Sequence, residues 1–456
     1  MADVNSLAPA KPGVIYANDY ALISLTLLSA VSTFDMKNIL VELSYNEDLF
    51  GTVTTGYLMV VDSTGYIERL RLVGNEFLRL TFAKTRDDPN VIDKIFRVYK
   101  VAKRLAENEG NTETYSLYFC SEEMLLSEQY KVAKSYRAKD ISSNVVDILK
   151  NYLKVDDNKI GVIEQTYGTY DFIVPYLKPF DAINWMSTYA RPDPTKPGAD
   201  MIFYEDSKGF NYRSIQSLIK QTPYNSYSYN TKNVDKKIQT ISQKVYDVLS
   251  YEILDSYDAL GAIHSGMFAN RLISVDILLR RFKVTDFDYG SYASQASTLN
   301  PYAITNNFKN RKGDGLNQAP ESVMKLVFSN YNQKDASYVK ENGGVAHDIF
   351  AETYIPYRTA QLPLLNYTRV KISVPGDSGL TVGRVVGFEL LSKNPNNKET
   401  DAFYSGNYLI TGVRHMITVH AYKTVLELAK ESTRTQYPSV DNTSAIWTKT
   451  VRGLTS

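Results

Sequence analysis

Residues 95–122 read IFRVYKVAKRLAENEGNTETYSLYFCSE, and residues 407–431 read NYLITGVRHMITVHAYKTVLELAKE. In the first stretch Ile95, Phe96, Val98 and Val101 lead through a polar turn at 107–111 to Tyr115, Leu117, Phe119 and Glu122. In the second, Tyr408, Leu409, Ile410 and Val413 lead to Tyr422, Leu426, Leu428 and Glu431. Each spells a β-hairpin, and their likeness indicates one structural unit used twice. A ring of three such chains would present six similar units.

Working outward from the first hairpin, residues 20–120 are dominated by strand patterns. In 67–73, Leu70 and Leu72 fall on one face and Arg69 and Arg71 on the other. After a turn at Gly74 and Asn75, Leu78, Leu80 and Phe82 share a face opposite Arg79 and Thr81. Period two, punctuated by Gly51, Gly56, Gly65, Gly74 and Gly110, predicts an antiparallel sheet that curls into a barrel or sandwich. The apolar run at 20–31 is too short to span a bilayer and is interrupted by Ser24, Thr26 and Ser29; with Asp19 before it, it reads as a strand rather than a leader. No other stretch has the length of a membrane span.

The period changes near 141. Val145, Ile148, Leu149, Tyr152 and Leu153 recur at helical spacing behind Ser142 and Ser143 as caps. A second helix starts at Pro179, with Asp181 in its first turn and Ile183, Met186 and Ala190 on one face, and ends before Pro192. Residues 201–205 and 210–213 flank a turn at 207–209 and form a short hairpin. The organisation expected is therefore an arm at 1–15, a first tube-like β-barrel domain at 16–137, an α+β insertion at 138–225, and a second barrel domain at 226–290 and 356–431. A loop-rich insertion at 291–355, in which only 323–328 is strand-like, and a C-terminal arm at 432–456 complete it. Residues 357–365 read as a helix.

The 456 residues suffice for about three domains. Their 51 Lys and Arg balance 50 Asp and Glu, so net charge supplies no general attraction for nucleic acid. The single cysteine, Cys120, cannot form an internal disulfide, and its neighbour Phe119 places it on a half-buried strand; this suits folding in a reducing cytoplasm. The 35 tyrosines offer large apolar faces with one hydroxyl each, as protein interfaces use.

No catalytic, cofactor or metal site is expected. His415 and His420, five positions apart, point to opposite faces of a continuous strand and do not share a metal unless a turn intervenes. His264 and His347 have no second ligand at suitable spacing. There is neither a Gly-x-Ser-x-Gly nucleophile motif nor His-Glu-x-x-His. Residues 383–387, Gly-Arg-Val-Val-Gly, lack the lysine and hydroxyl of a phosphate-binding loop and read as barrel glycines. Residues 312–315, Lys-Gly-Asp-Gly, lack the spaced carboxylates of a calcium loop and read as a turn.

Tyr45, Glu47-Asp48-Leu49-Phe50, Gly56, Asp62, Gly74-Asn75-Glu76, Leu78 and Leu80 resemble the opening barrel of baseplate hub proteins from contractile-tailed bacteriophages. Pro179-Phe180-Asp181-Ala182-Ile183, Phe203-Tyr204-Glu205, Gly209-Phe210, Arg213-Ser214-Ile215 and Leu218 are similar to the insertion domain of large-phage hubs. Asp255-Ser256-Tyr257-Asp258, Gly266-Met267 and Asp276 extend the likeness, as do Arg358, Gln361, Leu365, Val374, Pro375-Gly376-Asp377, Gly383, Gly406, Tyr408 and Val413. The resemblance spans roughly 40–430; the 290–355 block and both arms have no counterpart in it.

It implies a mainly β fold with an α+β insertion and two tube-like barrel domains per chain. It also implies a non-enzymatic homotrimer that forms a pseudo-hexameric ring. Such a ring joins a six-fold tail tube to a trimeric spike in the virion. The implied partners are the spike, tube or tube-initiator proteins, and tape-measure and wedge proteins, with DNA only in transit. A wall that passes DNA is expected to avoid net positive charge. The alternatives are a tail-tube initiator or injection-system spike carrier, and a cell-wall-degrading tail enzyme.

Overall fold

Both quoted stretches are antiparallel hairpins in the computed structural model, which describes residues 19–106, 112–192, 200–229, 245–277, 280–304, 308, 315–328, 351–392 and 400–436. The polar turn at 107–111, the arm at 1–15, His347 and residues 312–314 lie outside the described residues. The first half supplies β1 (Ala21–Leu28), β2 (Thr33–Asp35), β3 (Leu40–Asp48), β4 (Thr55–Asp62), β5 (Phe77–Ala83), β6 (Ile92–Ala106) and β7 (Glu113–Cys120). Next come β8 (Ser135–Lys139), β9 (Ile160–Ile163), β10 (Tyr170–Ile173), β11 (Met201–Asp206) and β12 (Gly209–Ser214). The second half carries β13 (Ser226–Tyr229), β14 (Ser250–Ser256), β15 (Ala269–Asp276), β16 (Arg281–Asp288), β17 (Tyr302–Ala303) and β18 (Met324–Phe328). It ends with β19 (Thr368–Pro375), β20 (Val385–Leu390), β21 (Gly406–Thr418), β22 (Tyr422–Lys430) and β23 (Ser432–Thr433).

The repeat extends well beyond the hairpins. In the first half the lateral order is β1-β5-β6-β7-β4-β3, and in the second it is β13-β20-β21-β22-β19-β14. Even a defect is repeated, since β6 bulges between Val98 and Lys100 and β21 between Ile410 and Gly412. Just before each bulge the strand takes a last bond from the segment leading to its neighbour: the Val98 N–H donates to the Glu76 carbonyl at 2.9 Å, the Ile410 N–H to that of Arg384 at 2.8 Å. One pairing differs in sense, β1–β5 being antiparallel and β13–β20 parallel.

The halves are not two separately closed barrels. β3 pairs antiparallel with β21, from Asp48 opposite Gly412 to Glu42 opposite Thr418, and this seam fuses both halves into one thirteen-stranded sheet. In the second half the gap between β13 and β14 is spanned by the bridge Ser228–Asp247 and the Val248 N–H bond to Ser228. Each half still curls around its own core because alternate residues point inward. Leu43, Tyr45, Leu58, Val60, Leu80, Phe96, Leu117 and Phe119 fill the first; Val370, Ile372, Val385, Phe388, Leu409, Leu426 and Leu428 fill the second. Each such side chain contributes about 1.5–3 kcal/mol by burial. Gly56 is required by this packing: a Cβ there would lie 2.3 Å from both the Phe119 ring and the Ser44 carbonyl.

The insertion has a third core. Helices Ile141–Asn151 and Pro179–Ser187 bury Val145, Ile148, Ile183 and Met186 against Phe203 and Tyr212 of the β11–β12 hairpin. The first helix is capped by Asp140, whose carboxylate accepts from the Ser143 N–H at 2.9 Å. Ser142 and Ser143, expected as the caps, instead donate their hydroxyls to Asp140. Val132 and Tyr136 belong to this core, so insertion packing starts before residue 138.

Several expectations are corrected. Residues 67–73 are not a strand: helix Tyr66–Arg69 is followed by Arg71 at φ 51°. The N–H groups of Val73, Gly74 and Asn75 converge on the buried Glu76 carboxylate at 2.7, 3.0 and 3.1 Å, so a side chain satisfies backbone that a ladder would otherwise pair. β15 and β16 leave the main sheet and form a small sheet of order β16-β15-β18. Helix Ala351–Leu365 covers one face of it, starting before the expected 357 and running through Pro356 and Pro363. Its core joins Phe268, Phe287, Tyr289, Tyr292 and Tyr367. Ser432 and Thr433, assigned to an arm, are buried in β23, paired with β17. Gly383 sits in a turn at φ 77°, and Gly387 within β20.

Candidate assembly face and seam

Across the seam, residues out of phase with the two cores share one outer face. On β3 they are Glu42, Asn46 and Asp48; on β21, Arg414 and Met416; on β22, Lys423 and Glu427; on β19, Arg369 and Lys371. The face is concave here, with a cleft of about 660 Å³ over the junction of the halves. Its charges of both signs are interspersed across the strands. Arg369 bridges Asp255 of β14 at 3.4 Å and Glu427 at 3.3 Å. Arg414 reaches Glu42 at 3.6 Å, and its guanidinium donates to Ser44 Oγ at 2.9 Å and Tyr57 Oη at 2.7 Å. From β14 to β3 the outward basic groups Arg369, Lys371, Arg414 and Lys423 do not outnumber the outward acidic groups Glu42, Asp48, Glu252, Asp255 and Glu427. Exposed pairs of this kind contribute about 0–1 kcal/mol each, so the pattern sets surface potential more than stability.

Beneath that face the seam is sealed by aromatic and polar groups. Tyr45 stands opposite His415 in the β3–β21 register, and both rings lie about 6 Å from Phe82, while His415 also faces Tyr422. His415 is fully buried. Its Nε2 is 3.2 Å from the Leu380 carbonyl, which can only accept, so Nε2 carries the proton and Nδ1 accepts from the Tyr422 hydroxyl at 2.8 Å. Burial pushes its pKa down to about 3, so the ring is neutral. Next to it, Glu47 accepts from the Tyr45 hydroxyl at 2.9 Å and the Val382 N–H at 3.0 Å. Burial, reinforced by nearby Asp206, raises its pKa to about 8.

A second buried junction joins the insertion to the first half. Glu205 of β11 accepts from Lys94 Nζ at 2.8 Å, from the Thr54 N–H at 2.7 Å and from Ser121 Oγ at 2.6 Å. Lys94 also donates to the Asp206 carbonyl. Because removing one partner of a buried pair leaves the other charge uncompensated, this cluster fixes how the insertion sits on the sheet. The sequence reading missed these groups although a signal was present. Glu47 follows Leu43 and Tyr45, Glu205 follows Phe203, and Lys94 precedes Phe96, each in the inward phase of its strand.

A further surface differs from both. On the face of the small sheet away from helix Ala351–Leu365, Ile273 and Val275 stand beside Val284 and Phe282 on one side and Leu326 and Phe328 on the other. Phe282, Leu326 and Phe328 are 72%, 64% and 66% exposed. This face is apolar and uncovered among the described residues.

The sequence-flagged histidines do not come together. His420 is exposed in the β21–β22 turn, His415 is inside the seam, and His264 is exposed at the end of helix Ala259–Ser265. Among the described residues there is no group of three or more His, Cys, Asp or Glu that could hold a metal, and no helix long and apolar enough to cross a membrane. Cys120 is buried at the end of β7, and burial pushes its thiol up to about 11, well away from an activated nucleophile.

The fold is similar to that of two solved tail proteins. It matches the tail protein from Neisseria meningitidis MC58 with a TM-score of 0.52 at 9% identity, over 91% of this chain and 97% of that one. It matches the 43 kDa tail protein of prophage MuSo2 from Shewanella oneidensis with a TM-score of 0.51 at 7% identity, over 90% and 98%. In sequence, the chain is similar to the probable baseplate hub protein gp334 of Vibrio phage KVP40, 23% identical over 407 residues, which are 87% of this chain and 91% of the relative. No family model matches the chain. The resemblance to baseplate hub proteins read from the residues therefore stands over most of the length.

Proposed function

We propose that the chain is a structural hub subunit of a contractile-tail baseplate. Three copies close into a ring in which each chain contributes two similar curled halves, so that a three-fold assembly offers a six-fold rim to the tail tube. The insertion breaks the six-fold equivalence and keeps a three-fold character for a trimeric spike. The observation carrying this reading is the doubled strand order joined through one seam, because that seam sets two alike units side by side as ring neighbours would stand. The outer face of the seam sheet lines the passage, and its balanced charges let DNA pass without being held. Partners in this reading are the spike, the tube or its initiator, and tape-measure and wedge proteins; the chain catalyses nothing and acts in the virion.

The test is the mass and image of the purified full chain, alone and with its spike. A trimer with a central opening and six similar lobes is expected; a monomer or a solid dimer would overturn the reading. A tube initiator would bind tube protein but no spike, and turnover of purified cell wall would favour an enzyme.

A further inference from the structure

The repeat matches each strand of one half to a strand of the other: β6 to β21, β7 to β22, β4 to β19 and β3 to β14. In one chain the slot beside β21 beyond its bulge, residues 412–418, is filled by β3. The equivalent slot beside β6 begins at Lys100, where β5 has already ended at its pairing with Arg97, and no described strand occupies it. At the far end of the sheet β14, the counterpart of β3, pairs with β19 on one side only. Two edges that correspond to the two sides of the internal seam are thus left without a described strand, one along terminal β14 and the other along the part of β6 that β5 does not reach.

From this correspondence we infer that the occupant of each edge is a second copy of this chain: β14 of one copy pairs antiparallel with residues 100–106 of β6 in the next. The inference rests on the ring reading and names its joint. Charge supports it independently. The β6 edge carries exposed Lys100 and Lys103 beside Arg104, which bridges Glu113 at 2.8 Å, and the β14 edge carries exposed Glu252 beside Asp255, which bridges Arg369 at 3.4 Å. Opposite charges on facing strands favour that pairing and oppose like-to-like contact of two β6 or two β14 edges. The joint is head-to-tail, so a three-fold rotation closes it into a ring. Copying the seam register, in which Arg414 faces Asn46, sets Ala102 opposite Asp255 of the neighbour.

The test is oxidation of the full chain carrying both Ala102→Cys and Asp255→Cys, since directly opposed strand residues approach within disulfide reach. Linked dimers and trimers should appear on non-reducing gels, while each single variant stays unlinked, with buried Cys120 a bystander. As a second arm, Lys100→Glu with Lys103→Glu should weaken trimer formation by roughly tenfold. Adding Glu252→Lys and Asp255→Lys should restore it. A trimer that neither links nor responds to charge reversal overturns this joint and leaves the ring standing. A chain that remains monomeric at all concentrations overturns the ring itself.

Discussion

β3 and β14 occupy the same place in the repeated strand order, yet one is enclosed and the other bare. On β3, Leu43, Tyr45 and Glu47 point into a sealed seam and are fully buried or nearly so. On β14, the matching Tyr251 is half-buried and Ile253 is 36% exposed. The enclosed strand has inward polar groups whose ionisation is displaced by burial; the bare one has exposed outward carboxylates, Glu252 and Asp255, the latter bridged by Arg369. The same slot is thus a joint paired on both sides in one place and a strand paired on one side only in the other.

The largest effect that would sharpen this contrast is Tyr45→Ala, which empties the seam and removes the donor to Glu47. It should cost about 3–5 kcal/mol in urea unfolding. Ile253→Ala in the unassembled chain should cost about 1 kcal/mol or less; equal losses would break the comparison.

Ionisation of the seam gives two opposed pH limbs. Folded Glu47 keeps its proton to about pH 8, whereas the unfolded chain releases it near the ordinary 4.5. Its contribution is therefore full below pH 4.5 and is lost as pH rises toward 8, at up to about 1.4 kcal/mol per unit. Glu47→Gln should flatten that alkaline limb relative to the parent when unfolding midpoints are followed from pH 5 to 8.

His415 behaves in the opposite sense. The unfolded chain takes a proton near the ordinary 6.5 and the folded one only near 3. Stability from its neutral form is present above 6.5 and is lost as pH falls toward 3. His415→Gln should reduce the acid loss between pH 6 and 4 while lowering stability at pH 7 by about 1–3 kcal/mol through the lost Tyr422 and Leu380 bonds.

The smallest effect belongs to the small sheet. Leu326→Ser, on its uncovered face, should move the melting midpoint by the equivalent of about 0.5 kcal/mol or less, while raising the concentration at which the chain stays unaggregated by light scattering.

Much of the architecture was legible because local alternation dictates local strands. The two hairpins and the insertion helices follow from periodicity within short stretches, and strand 324–328 was readable from its own apolar run although its partner, β15, lies far away in sequence. The seam was not legible, since β3 and β21 are more than 350 positions apart and nothing in either strand names its partner. Residues 67–73 were misread because alternation alone cannot see that Glu76 gathers three backbone donors. The polar junction was overlooked for a different reason: Glu47, Lys94 and Glu205 sit at inward positions, and polar residues in that phase were not weighed as a signal.

The bulges at Val98 and Ile410 give the chain an index mark. A plain strand can slide along its neighbour by two residues and keep the same face inward, but a bulge marks one position as different from all others. β21 passes from β20 to β3 right after its bulge and β5 leaves β6 at the corresponding place, so the mark fixes where one ladder stops. In β21 one extra residue therefore sets the alignment of the internal seam, and β6 carries the same mark with a second irregularity between Ala102 and Leu105.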